Sequence, residues 1–498
     1  MANITGIKGF NSETISALIA AYGNDVVNVD TGKGYSLNLN PSYKVEFEVF
    51  LDYLFLQNFN ATPVTFDGLN WGRTNVARTP KAKYIKEFGS RVYLGYVEIN
   101  GTNFPSRVIY SDLPKNNTIQ WGIEWGTNGA CTAGTSRFTS ANSGFSTYGI
   151  KVGDPLMITS GANIGEYTVS EIVSDMDIRV EETFKATATS QSFWVGSNWF
   201  DVRTDNNDFI TWITENNDRL LIFKQDSLHR YDGSALRTIK DAPGTTSGRS
   251  VVNLRGVSVY YHKGVADRSG FYACDGTKSV KLSNSIQPYI DGISDSMSSE
   301  VVGWREGNTY RAYVGDITND DHDISISKAV VSYDFGIDAW SIDPISDTIT
   351  CATEIREANT QRVILGNSES QALLTPSGYD HNGEPIHWSA ETSAIYPRGL
   401  TTMNIFTKAI ITAKKAGGIN VSYLLWDSPA EIDDNWHPLG DLEHDRTEFL
   451  IPTRHANAFG ISYRFEEAGK TNPNFRIESV TTVSYPQRTN IPEIRKTI

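Results

Sequence analysis

Arg219-Leu220-Leu221-Ile222-Phe223-Lys224-Gln225-Asp226-Ser227-Leu228-His229-Arg230-Tyr231-Asp232-Gly233 reads as an apolar strand, a Lys-x-Asp-Ser turn and a second strand that ends on a tight reversal. Asp-Gly favours such a reversal because Asp tolerates, and Gly permits, the positive φ that a hairpin turn needs. The same turn returns after an apolar or aromatic residue at Phe66-Asp67-Gly68 and Cys274-Asp275-Gly276. Looser forms stand at Tyr289-Ile290-Asp291-Gly292, Tyr333-Asp334-Phe335-Gly336 and Tyr379-Asp380-His381-Asn382-Gly383. Short alternating runs such as Val257-Ser258-Val259-Tyr260-Tyr261 flank these turns. Hairpins that recur at intervals of roughly 40 to 50 residues predict the blades of a β-propeller.

Working outward, 498 residues are too many for one core and predict about three domains. Tyr, Phe and Trp are plentiful while Met and Cys are scarce, which leans towards all-β structure. Residues 1–45 form an N-terminal segment. Its one helix is predicted over 11–22, capped by Asn11 or Ser12, with Ile15, Leu18, Ile19 and Tyr22 on one face and Gly23 as the stop. Residues 46–117 hold the first part of the propeller, including paired strands over Val45 to Phe59 and a hairpin turning at Asn100-Gly101. The texture changes over 118–196, where turn residues and short strands such as Asp177-Ile178-Arg179-Val180 predict a small β-barrel or sandwich inserted at a blade edge. The remaining blades follow over 197–395. Longer strands over 396–498, among them Gly460-Ile461-Ser462-Tyr463-Arg464-Phe465, predict a C-terminal antiparallel sandwich and an extended tail.

The motifs that carry chemistry are few. Ser332-Tyr333-Asp334-Phe335-Gly336-Ile337-Asp338-Ala339-Trp340 comes close to the Asp-box of sialidase propellers, with Asp338 in place of a threonine and Trp340 one position late. Such a box is a structural turn in which the carboxylate accepts backbone N–H groups. Asp316-Ile317-Thr318-Asn319-Asp320-Asp321-His322-Asp323 and Asp433-Asp434-Asn435-Trp436-His437 are acidic enough to attract a hard cation but lack EF-hand spacing, and read as solvated loops. The eight histidines show no ligand spacing, and there is neither a Gly-x-Ser-x-Gly elbow nor a Walker loop. No catalytic, cofactor-binding or metal-binding residue is assigned, and no cofactor is expected. Trp121, Trp125, Trp194, Trp199 and Trp212 cluster in and around the insert. They read as core packing or subunit contacts, with sugar stacking as the alternative.

Formal charge is −14, from 44 basic against 58 acidic residues, which argues against a surface that grips nucleic acid through its phosphates. Cys131, Cys274 and Cys351 are odd in number and widely spaced, as expected of reduced, buried side chains assembled in a reducing cytoplasm. The start Met1-Ala2-Asn3-Ile4-Thr5 has no secretory pattern, and no apolar run approaches the ~20 residues of a membrane span. The expectation is a soluble protein with no membrane span.

Three stretches together resemble the tail hub or nozzle proteins of short-tailed bacteriophages, also called phage stabilisation or tail accessory proteins. They are Ser90-Arg91-Val92-Tyr93-Leu94-Gly95 leading to Pro105-Ser106-Arg107-Val108-Ile109-Tyr110-Ser111-Asp112-Leu113-Pro114, then Arg219 to Gly233, then the hairpin ending at Trp340. The likeness covers about residues 40 to 395 and lies in the order and texture of blocks; the insert and the C-terminal sandwich depart from it. It implies a non-enzymatic virion protein, made in the bacterial cytoplasm and placed in the phage tail. Six copies would form a ring below the portal and adaptor, with tail fibre proteins as further partners. That ring would retain the DNA genome and then pass it through an acidic lumen that repels phosphate. A carbohydrate-binding or sialidase-like propeller, as adhesin or glycosidase, is the alternative.

Overall fold

The computed structural model describes residues 3–11, 16–59, 61–72, 78–115, 119–203, 207–265, 268–357, 360–374, 380–381, 384–385, 389–399, 402–414, 418–426, 436–452, 457–467 and 476–486. The chain divides into two compact units, Met1–Thr375 and Pro376–Ile498.

In the first unit, seven antiparallel sheets follow one another as blades, each paired in chain order from an innermost strand outwards. The innermost strands are Ile4–Asn11, Glu46–Phe50, Lys81–Phe88, Ile210–Glu215, Val252–Leu254, Val302–Glu306 and Ile349–Glu357, for blades 1 to 7. Seven cores between successive blades close the circle. Phe10 and Ile19 meet Phe47 and Leu54 between blades 1 and 2, and Phe55 meets Ile85 and Leu94 between blades 2 and 3. Phe88 and Tyr93 meet Ile213 and Ile222 next, then Phe223 meets Tyr260, and Tyr261 and Phe271 meet Tyr310 and Val331. Val302 and Tyr313 meet Val363 and Leu365, and Cys351 and Ile364 return to Ile4 and Leu18 of blade 1. The fold is an all-β, seven-bladed propeller.

None of the described residues of the helix expected over 11–22 is helical, and Ser12 and Ile15 lie outside the described ones. Ser16–Tyr22 is the second strand of blade 1, antiparallel to Ile4–Asn11. A blade strand lies between two neighbouring sheets, so both of its faces are buried: Ile19 faces blade 2 and Leu18 faces blade 7. Double burial removes the alternation that marks a strand, and the residual spacing imitates a helix. Residues 1–45 are therefore largely a full blade and not a preceding segment. Tyr289-Ile290-Asp291-Gly292 is a second correction, because Gln287–Asp291 is a short helix between blades 5 and 6, and Gly292 has an ordinary negative φ of −74.

The insert is a closed six-stranded barrel whose strands run from Ile123–Cys131 to Ala188–Gly196, around a core that includes Phe138, Phe145, Phe184 and Phe193. It stands between the third strand of blade 3, Thr102–Tyr110, and the fourth, Trp199–Asp201. In the second unit, Ser389–Glu391, Gly460–Glu467, Ile419–Trp426 and His437–Asp441 form one sheet. Arg446–Leu450, Asn404–Lys414, Asn457–Ala458 and Arg476–Pro486 form the other, and Phe406, Ile411, Tyr423, Tyr463 and Phe465 fill the sandwich core. This unit begins before the sequence-based boundary at 396, because Ser389–Glu391 pairs with Arg464–Glu466.

Candidate functional site

The seven innermost strands enclose an axial cavity of ≈ 790 Å³. One side is stoppered by the turn Gly248–Ser250, a single 3-10 turn that leads into blade 5. The turn lies so close to blade 4 that a Cβ on Gly248 would fall 2.3 Å from the Thr211 carbonyl oxygen, so only glycine fits. That approach delivers Arg249. Its Nη1 donates to Thr350 O at 2.9 Å, its Nη2 to Thr5 O at 2.5 Å and Val45 O at 3.0 Å, and its Nε to Glu46 Oε1 at 3.2 Å. These acceptors belong to blades 7, 1 and 2, across the axis from blade 5. Burial pushes the Glu46 carboxyl above the usual carboxylate range, and the Arg249 guanidinium beside it pulls the other way. Lys44 adds a second tie, donating to Ser299 O at 3.1 Å and pairing with Glu300 at 3.0 Å.

Each innermost strand also lines the cavity with a charged or amide side chain, beside Glu46, Thr214 and Thr353: Lys8, Glu48, Lys86, Glu215, Asn253, Arg305 and Glu354 in blade order form a collar. The signs alternate around the collar, interrupted only by the neutral Asn253. Lys86 pairs with Glu48 at 2.5 Å and Arg305 with Glu354 at 2.8 Å, each bridging adjacent blades. Asn253 Nδ2 donates to the Glu215 carbonyl at 2.7 Å, and the Glu215 carboxylate accepts the Asp218 N–H at 3.2 Å. All four cavity carboxylates are thus engaged, and the two cavity arginines each face a glutamate. The arrangement ties blades together.

The recurrent turns fall at one place in successive blades, the hairpin between third and fourth strands. Asp67 Oδ1 accepts the N–H groups of Leu69 and Asn70 in blade 2. Asp232 Oδ1 accepts those of Ser234 and Ala235 in blade 4, which with the Ser234 hydroxyl hold its carboxyl down at about 2. Asp275 does the same for Thr277 and Lys278 in blade 5; partial burial raises its carboxyl, but these bonds win and bring it to about 2. In blade 6, Asp334 Oδ1 accepts Gly336 N–H at 2.6 Å, and Trp340 donates to Leu282 O at 3.2 Å while packing on Phe271. The Asp-box-like stretch is a hairpin brace. In blade 3 the barrel takes the place of this turn. Of the turn at Tyr379 to Gly383, Asp380–His381 pairs with Glu384–Pro385, and the other three residues lie outside the described ones.

Of the first acidic stretch, Asp320, Asp321, His322 and Asp323 are exposed at the tip of a long blade 6 hairpin, around a short 3-10 turn. Asp316 accepts Ser327 Oγ and Lys328 N–H at the base of the same hairpin. Asp433, Asp434 and Asn435 lie outside the described residues, and the Arg464 guanidinium stacks on Trp436 at 4.2 Å. Among the described residues no three His, Cys, Asp or Glu side chains are grouped to hold a metal, and no helix is long and apolar enough to cross a membrane. Trp121 and Trp194 are buried where the barrel meets blade 3. Arg107 lies 3.9 Å from the Trp199 ring and forms a two-pronged bond to Asp201 at 2.8 Å. Trp125 and Trp199 pack partly buried against the same cluster, so four of the five tryptophans are mortar in this joint. Trp212 is elsewhere, in the innermost strand of blade 4, packed on Tyr84 and the core between blades 4 and 5. All three cysteines are free and buried.

Lys224 and Ser227 of the Lys-x-Asp-Ser turn belong to a buried lock, whereas its Asp226 is exposed. Lys224 Nζ donates to the carbonyls of Val202 and Arg203, and Asp208 accepts Gln225 N–H at 2.7 Å and Ser227 Oγ at 2.8 Å. Ser227 Oγ also lies 3.0 Å from His229 Nε2. Asp, Ser and His are together, yet the aspartate binds the serine instead of orienting the imidazole, and all three are buried. Arg249 and the collar escaped the sequence reading. Superposing the seven innermost strands would have aligned the collar; a lone arginine in a Gly-Arg-Ser loop carries no such signal.

No protein-family model matches the chain, and no curated protein matches it either. Solved structures give likenesses at low scores. BamB from Moraxella catarrhalis is 11% identical over 75% of this chain and 99% of its own, with a TM-score of 0.34. The phage phi92 endosialidase is 11% identical over 73% of this chain, with a TM-score of 0.21, and this chain spans 50% of its length. The Niastella koreensis GH74 enzyme is 10% identical over 74% and 59% of the two chains, with a TM-score of 0.22. The propeller assignment rests on strand pairing and inter-blade cores.

Proposed function

We propose that this protein is a structural, non-enzymatic subunit of a bacteriophage tail, a nozzle or hub component located in the virion. Copies of the propeller, about six, would stand in a ring beneath the portal and adaptor, in contact with tail fibre proteins, and the genome would pass between the copies. The observation that supports this most is the axial cavity. Arg249 stoppers it and its carboxylates are all engaged, so it offers a rigid hub instead of a reaction chamber. The net charge of −14 suits a lumen past which phosphate slides. Native mass spectrometry and electron microscopy of the purified protein, alone and with a portal-type dodecamer, test the reading. A six-fold ring that caps the dodecamer is the expected result. A monomer that binds a glycan array, or cleaves glycans and loses that activity on substitution of one carboxylate, overturns it.

A further inference from the structure

The propeller closes without a shared strand among the described residues: blade 1 is built from residues 4–36 and blade 7 from residues 349–374. The seam between them is a small apolar cluster, Ile4, Ile7, Leu18, Ala20, Cys351 and Ile364, plus the Thr350 hydroxyl donating to Ile4 O at 2.7 Å. The Gly9 N–H adds a bond to Thr353 Oγ1 at 3.4 Å. Each of the other six junctions is also crossed by the chain running from one blade to the next, a link this seam lacks among the described residues, so it is where the ring can open. Arg249 reaches it from the far side of the axis. Nη1 takes the Thr350 carbonyl on one side of the seam and Nη2 takes the Thr5 carbonyl on the other. The same Nη2 and Nε hold Val45 O and Glu46 of blade 2.

We propose that Arg249 is the closing pin of the ring, a conformational latch that holds blades 7, 1 and 2 together from blade 5 and does at this seam what a shared strand would do. A guanidinium suits the task because its planar fork of donors serves several acceptors at once, which an ammonium cannot match. Its bonds are charge-assisted and removed from water, so their loss leaves the Thr5, Val45 and Thr350 carbonyls and the Glu46 carboxylate without this donor.

Hydrogen exchange of the full-length chain tests the pin. Arg249→Lys keeps the charge and removes the fork; Lys86→Met breaks the collar pair between blades 2 and 3 and serves as the control. With Arg249→Lys, amides of Ile4–Asn11 and Ile349–Glu357 should exchange about tenfold faster or more, while blades 3 and 4 hold their protection. Lys86→Met should loosen blades 2 and 3 and leave the seam protected. Faster exchange confined to 247–250, or spread evenly over all seven blades, overturns the proposal. Arg249→Met, which removes the charge too, should loosen the seam further than Arg249→Lys; equal protection of the seam in both variants and in the parent chain also overturns it.

Discussion

At His229 the hydrogen-bond network dictates the tautomer. Ser227 gives its proton to Asp208 Oδ2, so its oxygen accepts from His229 Nε2–H, and His229 Nδ1 is left to accept from Thr238 Oγ1 at 3.1 Å. Burial lowers the imidazole to about 4, helped by the positive charge of Lys224 and opposed by Asp208. The unfolded chain takes up this proton near 6.5, whereas the folded chain resists until about 4. The unfolded state therefore binds more protons in that window, and stability drains away as pH falls from about 6.5 to about 4. Melting temperatures of His229→Gln should lack this part of the slope; an identical slope in both proteins would show that the imidazole is not the source. Glu124 has the opposite sign. It is buried at the start of the barrel, its carboxyl raised to about 7 by burial despite Arg78 at 3.3 Å. The folded state holds the proton that the unfolded state has released above about 4.5, so stability falls as pH rises from there to about 7. Glu124→Gln should melt above the parent at pH 8, and the gap should shrink as pH drops towards 4.5.

Among the elements, the hairpins between third and fourth strands were the most legible, because their signal is local. Gly68, Gly233 and Gly276 have φ of 97, 93 and 84, values an L side chain rarely adopts, and each follows an aspartate that collects the next N–H groups. Substituting valine at any one of the three should cost about 1–3 kcal/mol, similar at each site because the three turns are equivalent, as measured by denaturant unfolding. A much larger loss at one turn would mean that its blade carries more than its share of the fold. The second strand of blade 1 was illegible for the converse reason. What decides Ser16–Tyr22 is burial on both faces by blades 2 and 7, and residues 46–56 and 349–364 are far away in sequence. The Asp-Gly signal also misfires at Gly292, where a short helix uses the same residues without positive φ.

At the scale of the molecule, the sequence shows where the texture changes but not what happens along the axis. The barrel is visible because a run of turn residues and short strands interrupts the blades. The collar is invisible to a linear reading, since Lys8 and Glu354 become members of one ring only when seven strands are laid side by side. The division into two units leads to the last prediction. Each has its own cooperative core: the first is a circle of inter-blade clusters closed through Ile4, Cys351 and Ile364, and the second is a sandwich filled by Phe406, Ile411, Tyr423, Tyr463 and Phe465. Among the described residues neither core draws on the other unit, which is the physical condition for independent folding. A fragment ending at Thr375 and a fragment beginning at Pro376 should therefore each show a β-type circular dichroism spectrum and a sigmoidal melt. Calorimetry of the whole chain should resolve into those two transitions. If the first fragment is unfolded alone, ring closure depends on the C-terminal unit, and a pin at Arg249 is not sufficient to hold the seam.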